Sequence, residues 1–227
     1  MAKIFSIVGT DTEIGKTYVT VEILNYLQKH SFSASALKPI SAGITPTKDG
    51  MINEDVFKLS VASSVKLPSK LISPLALELP IAPHIAAKCE NIMLNVNAVI
   101  TKIKPALNLL EKESAYILIE GVGGIMVPLN ANETYVDVLQ AWQYPLILVV
   151  GMKLGCLNHT LLTYTTLLQH NINIVGWVAN CIIEDMPYLD ENIKFLKNYL
   201  KAPLLGIVAY DANITVTPEF KKVFRCN

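Results

Sequence analysis

With 227 residues, and 19 Lys plus Arg against 19 Asp plus Glu, the chain can bury one substantial core and has no net charge to draw it to nucleic acid or an anionic bilayer. Hydrophobic residues make up 52%, yet no run reaches the roughly 18 uninterrupted apolar residues of a membrane-spanning helix; Pro145 to Leu157 carries Lys153, and Leu71 to Ala87 is broken by prolines and Glu78. Met1 to Val8 is too short for a secretory signal, and Cys89, Cys156, Cys181 and Cys226 lack C-x-x-C spacing, so a cytoplasmic protein with reduced, structural thiols is expected.

Strand and helix patterns alternate along the chain. Ile4 to Val8 is an apolar, β-rich run, and Thr17 to His30 repeats Val21, Leu24 and Leu27 at helical spacing. Ala34 to Leu37 reads as a second strand, and Pro39 to Asn53, rich in Gly, Pro, Thr and Ser, as a loop over the carboxyl edge of the sheet. Helices follow near Asp55 to Ser63, Pro83 to Cys89 and Val96 to Glu111, then a strand at Tyr116 to Ile119 and a helix at Val136 to Trp142. Leu146 to Val150 and Ile174 to Ala179 are further strands, each followed by a helix, at Leu157 to His170 and Tyr188 to Leu200. Continuous apolar strands joined by helices predict an α/β fold: a doubly wound, mostly parallel sheet with helices on both faces, in one domain spanning 1–227.

GTDTEIGKT, from Gly9 to Thr17, lies directly between a predicted strand and a predicted helix. That context marks a phosphate loop: backbone N–H groups and the helix N-terminus surround phosphate oxygens, Lys16 reaches the β- and γ-phosphates, and the Thr17 hydroxyl is offered to Mg²⁺. Five residues, Thr10 to Ile14, separate Gly9 from Gly15, one more than in the common pattern. Asp11 and Glu13 add negative charge beside a polyphosphate and so suggest a second, cationic ligand such as an amine.

Lys38 ends the second strand before Pro39 and is either an ordinary strand-end lysine or a fixed ammonium facing the phosphate loop. Asp55 is either a helix-start residue or a metal ligand. Glu120, at the end of an apolar strand and before Gly121-Val122-Gly123-Gly124, matches the second acidic group that helps hold Mg²⁺ in phosphate-loop proteins. The run from Val149 to His159 again passes from strand through a glycine turn into a helix and could bind an anion such as a carboxylate. Asn180 could read a base edge or simply make a turn. His84 and His159 have no metal-ligand spacing and suit packing or hydrogen bonding at helix starts.

Together these segments resemble dethiobiotin synthetase, a P-loop NTPase-like family of biotin biosynthesis. The resemblance rests on GTDTEIGKT, Lys38-Pro39 with Gly43, Asn53-Glu54-Asp55, Pro83-His84, EGVGG from Glu120, VVGMKLGCLNH from Val149, GWVAN from Gly176 and APLLG from Ala202. It implies a homodimer that uses ATP, CO₂ and 7,8-diaminononanoate, with no nucleic-acid or membrane partner. It implies Lys16, Lys38 and Thr12 as catalytic groups and Thr17, Asp55 and Glu120 as Mg²⁺ ligands. Glu13, Ile14, Gly15 and Tyr18 would join Lys16 and Thr17 on the nucleotide, as would Gly121, Val122 and Gly123 beside Glu120; Asn180 and Cys181 would lie at the adenine.

By the same resemblance, Thr12, Lys38, Ser41, Ala42 and Lys153 would contact the substrate, and the turn Gly155-Cys156-Leu157-Asn158 would take its carboxylate, from the partner subunit. The family places a hydroxyl directly before the glycine matched by Gly43; here Ala42 stands there and Ser41 precedes it, so Ser41 substitutes only if the loop shifts. Other readings are a partition or positioning ATPase, whose additional early loop lysine is missing among Thr10 to Ile14, a related amide-forming synthetase domain, and a catalytically silent nucleotide-binding module.

Overall fold

The computed structural model describes residues 2–47 and 50–226. The elements run β1 (Lys3–Gly9), α1 (Lys16–Lys29), β2 (Ala34–Leu37), β3 (Ile40–Ala42), β4 (Thr45–Thr47), β5 (Gly50–Ile52), α2 (Glu54–Ala62), α3 (Ser69–Ile72), β6 (Leu75–Leu77), α4 (Pro83–Cys89) and α5 (Val96–Glu113). They continue with β7 (Tyr116–Gly124), α6 (Tyr135–Trp142), β8 (Leu146–Met152), α7 (Cys156–Gln169), β9 (Ile174–Cys181), α8 (Leu189–Tyr199), β10 (Leu204–Val208), β11 (Ile214–Val216) and α9 (Pro218–Phe224). The main sheet has the order β11-β10-β9-β8-β1-β7-β2. Its strands are parallel except β11, which pairs antiparallel with β10.

Burial on both faces explains the continuous apolar strands. Leu146, Leu148 and Val150 of β8 enter a core shared with α6, α7 and α8, while Ile147 and Val149 enter the opposite core with α1 and α9; the alternation is the two-residue period of a strand. Ile103, Ala106, Leu107 and Leu110 of α5 form a stripe at helical spacing and cover Leu37, Ile117 and Ile119 of β2 and β7. The sheet is therefore doubly wound, as the alternating pattern predicted.

The stretch 39–53, expected to be a loop, is built largely of short strands. β3 pairs parallel with β6, and β4 pairs antiparallel with β5, both outside the main sheet. Ile40, Leu75 and Leu77 are buried there, but three-residue strands are too short for periodicity to register. Lys48 and Asp49, within that expected loop, lie outside the described residues. The segment 217–224 packs on the sheet: Thr217 caps α9 by accepting from the Phe220 N–H, and Phe220 and Phe224 are fully buried, each stabilising the fold by about 1.5–3 kcal/mol relative to exposure. Among the described residues no helix is long and apolar enough to cross a membrane.

Candidate active site

Strand register assembles the charged centre. β2 pairs with β7 so that Leu37 faces Ile119, and the next residues, Lys38 and Glu120, meet at the carboxyl edge where open α/β sheets bind ligands. Lys38 Nζ donates to Glu120 Oε1 and to Asp55 Oδ2, at 2.6 Å each. Thr17 Oγ1 donates to Glu120 Oε1 at 2.7 Å, and Thr20 Oγ1 to Glu120 Oε2 at 3.1 Å. Glu120 is fully buried and Lys38 nearly so. Asn53 accepts from the Val56 N–H and so caps α2, which leaves the Asp55 carboxylate for Lys38. Burial disfavours the Lys38 ammonium, but the Glu120 and Asp55 carboxylates outweigh it and its pKa is raised. Burial likewise opposes ionisation of Asp55, yet Lys38 holds its pKa below the usual carboxylate value. The centre is thus a satisfied ion network, buried at Lys38 and Glu120 and partly open to the cavity at Asp55.

The phosphate loop is braced from behind. Ile14 is fully buried against Gly151, where a Cβ would lie 2.6 Å from its side chain. Asn180 Nδ2 donates to the Ile14 carbonyl at 2.8 Å. Gly15 has φ +75, and a Cβ there would come within 2.2 Å of the same amide nitrogen, so both backbone and space require glycine. Ile14 is thus an apolar plug within the loop. Lys16 Nζ donates to the Asp11 carbonyl at 2.8 Å, and its pKa is pushed down to about 8 by burial, against the pull of Glu120.

Loop and charged centre share a cavity of about 790 Å³. Thr12, Glu13, Gly15, Lys16, Thr17 and Tyr18 line it, as do Lys38, Ala42, Asp55, Glu120, Val122 and Gly123. Asn53, Lys58, the run Pro80 to Pro83, Val127 and Pro128 complete the walls and were not anticipated as site residues. Lys58 follows Asp55 by three residues, so helical spacing could have placed it on the same face. In the proline-rich wall only Pro83 belonged to a matching motif, Pro83-His84, and the rest carries no charge that could have marked it.

Several expected contacts lie elsewhere. Ser41 is fully buried and accepts from Ser73 Oγ at 2.8 Å, because β3 turns its hydroxyl away from the cavity; it does not replace the hydroxyl missing at Ala42. Asn180 and Cys181 are buried behind the loop, and the Asn180 N–H₂ already serves the Ile14 carbonyl. Gly121 packs on the Tyr135 ring. Asp11, expected to attract an amine, instead accepts from Lys153 Nζ at 3.0 Å, with His159 Nδ1 3.7 Å away. Lys153 is thereby tied to the loop. Lys153 and the Gly155-Cys156-Leu157-Asn158 turn lie outside the cavity wall, and Leu154 is 95% exposed.

The oxygens around Lys38 suit Mg²⁺, which takes hard oxygen ligands, retains waters and uses one or two carboxylates together with substrate phosphates. The Asp55 and Glu120 carboxylates already hold one cation, the Lys38 ammonium, and the Thr17 hydroxyl donates to the same Glu120 oxygen. Two carboxylates and one hydroxyl leave places in an octahedral shell for waters and phosphate oxygens, so the set fits an ion that arrives with a polyphosphate.

A family model described as "AAA domain" matches residues 3–217. The ATP-dependent dethiobiotin synthetase BioD of Legionella pneumophila (strain Corby) is 41% identical over 213 residues, covering 94% of this chain and 96% of that protein. The protein of the same name from Cellvibrio japonicus (strain Ueda107) is 39% identical over 225 residues, covering 95% and 97%. Among solved structures, the septum site-determining protein MinD complexed with Mg-ADP from Pyrococcus horikoshii OT3 matches with a TM-score of 0.53 at 17% identity, covering 92% of this chain and 82% of that one. The signal recognition particle receptor FtsY from Elizabethkingia anophelis in complex with GDP matches at 0.55 and 9%, covering 99% of this chain, which spans 64% of the receptor's length. At such identities the structures share the fold alone, whereas the two sequence relatives are similar along nearly their whole length, and the chain belongs to the dethiobiotin synthetase family.

Proposed function

We propose that this chain, acting as a single α/β domain, closes the ureido ring of dethiobiotin from 7,8-diaminononanoate, CO₂ and ATP. One amine of the diamine becomes a carbamate, ATP phosphorylates it, and the second amine attacks the carbamic-phosphoric anhydride, releasing phosphate beside ADP. The observation that carries this reading is the convergence of Lys16, Thr17, Lys38, Asp55 and Glu120 on one end of a cavity large enough for a nucleotide and a short diamine.

Lys16 and Lys38 neutralise charge on the phosphoryl group in transit, and burial strengthens that effect by excluding water. Thr17, Asp55 and Glu120 would hold Mg²⁺, which supplies further charge neutralisation at the triphosphate. Thr12 and Glu13 line the cavity, where they would lie near the reacting amine, and holding the reactants in order would add a positional contribution to rate. The exposure of Leu154 and its glycine turn supports a homodimer in which that turn takes the substrate carboxylate for the second copy.

The sequence relatives favour this activity over that of a positioning ATPase. The test is ADP release with diaminononanoate and bicarbonate supplied together and singly. We expect turnover to require both; ADP release undiminished on omitting the diamine would overturn the reading. Lys38→Ala, assayed at saturating Mg²⁺ on protein shown to be folded, should lose most of its rate, and near-normal turnover would remove Lys38 from the chemistry.

A further inference from the structure

The best-satisfied cation in the site is a side chain. Lys38 Nζ lies 2.6 Å from oxygens of both Asp55 and Glu120, and the Glu120 oxygen that it uses also accepts from Thr17. These are the oxygens of the Mg²⁺ ligand set. A divalent ion on them would sit at about 2.0–2.1 Å, within contact range of the ammonium, and two cations that close beside the buried Glu120 and Lys38 repel too strongly to share these oxygens.

We propose that the Lys38 ammonium and the divalent cation are mutually exclusive occupants of the Asp55–Glu120 oxygens, so that Lys38 acts as a built-in counter-ion and excludes the metal until a polyphosphate arrives. The polyphosphate supplies what the exchange needs on both sides, oxygens to complete the metal's coordination and a new anionic partner for the ammonium. One exchange therefore loads the metal and frees Lys38 toward the cavity that it already lines. Metal and nucleotide then bind as a unit, and the lysine that excluded the first becomes the one that meets the second.

The inference rests on reading the cavity as a Mg-nucleotide site, and its test separates the two. Mn²⁺ binding is measured from the spin-resonance signal of the free ion, using intact protein without nucleotide, in wild type, Lys38→Met and Lys38→Arg. Lys38→Met should bind Mn²⁺ at least tenfold more tightly than wild type, while Lys38→Arg, which keeps the charge, should stay near wild type. Equal affinity of wild type and Lys38→Met would overturn the proposal. Removing the ammonium leaves two carboxylates facing each other, so Lys38→Met could fail to fold in chelator; recovery of folded protein by millimolar Mg²⁺, but not by K⁺ at matched ionic strength, supports the exchange, and failure of Mg²⁺ to recover it counts against. Wild type with ADP, read against the same ADP and Mn²⁺ without protein, is the control. If it binds Mn²⁺ while Lys38→Met alone does not, only the exchange fails; if it does not bind, the nucleotide reading itself fails.

Discussion

Two glycine turns at the carboxyl edge of the sheet, each leading from a strand into a helix, differ in how far the chain completes them. The turn after β1 is closed by its own chain: Ile14 is fully buried, Asn180 bonds to its carbonyl, and Lys16 bonds back to Asp11. The turn after β8 is open. Leu154 is 95% exposed, and a Cβ on Gly155 would meet nothing within 4 Å. The first is a site preorganised by burial, whereas the second is left uncovered by its own chain.

The largest effect should come from the centre that the closed turn faces. Glu120→Gln removes a fully buried charge that accepts from Lys38, Thr17 and Thr20 and leaves the ammonium with Asp55 alone. Breaking a buried pair from one side costs about 3–5 kcal/mol, so urea unfolding should show a loss near the lower figure and turnover should fall by about 10²–10³. Wild-type stability in this variant would mean that the centre is not held from within. Gly151→Val comes next. Its new side chain collides with Ile14, 2.6 Å from where the Cβ would stand, and overpacking of this kind costs about 1–3 kcal/mol. The KM for ATP should rise, and adding Ile14→Ala should recover part of both losses; strictly additive losses would show that the two residues do not share the space.

Asn180→Ala is a smaller perturbation that separates two roles. It strips the N–H₂ from the Ile14 carbonyl, a loss of about 1–3 kcal/mol for a buried acceptor left unpaired, and by the family resemblance it should also weaken discrimination between ATP and GTP. Reduced stability with an unchanged purine preference would assign Asn180 to bracing the loop and move base reading elsewhere.

What was legible in the sequence follows the same division. The strands of the central sheet carry their burial in composition, since Leu146 to Val150 can be apolar throughout only if both faces are covered. Glu120 was legible as an individual residue, because a carboxylate at the end of a buried strand has few structural uses, whereas Lys38 and Asp55 each had an ordinary reading, as a strand-end lysine and a helix-start residue, and only the family resemblance singled them out. The mutual bonding of the three was not legible, since it depends on the register of β2 against β7. Ser41 misled because a hydroxyl one position from the expected place looks equivalent in a string, while on β3 neighbouring side chains point to opposite faces and Ser41 faces Ser73. The carboxyl-terminal strand and helix escaped because β11 is only three residues long and α9 is a single short helix.

The smallest effect on the isolated fold should come from the open turn, and that contrast makes it informative. Leu154→Asp changes a side chain that buries almost nothing within its own protomer, so chain stability should stay within about 0.5 kcal/mol of wild type. If a second copy covers this surface, a carboxylate placed there must lose its water on association. Sedimentation should then show dissociation at concentrations where wild type is dimeric. The KM for diaminononanoate should rise while nucleotide binding by the closed turn persists. An unchanged dimer with an unchanged KM would place both the interface and the carboxylate contact away from the Gly155 turn, and the openness of this turn would be a property of the surface alone.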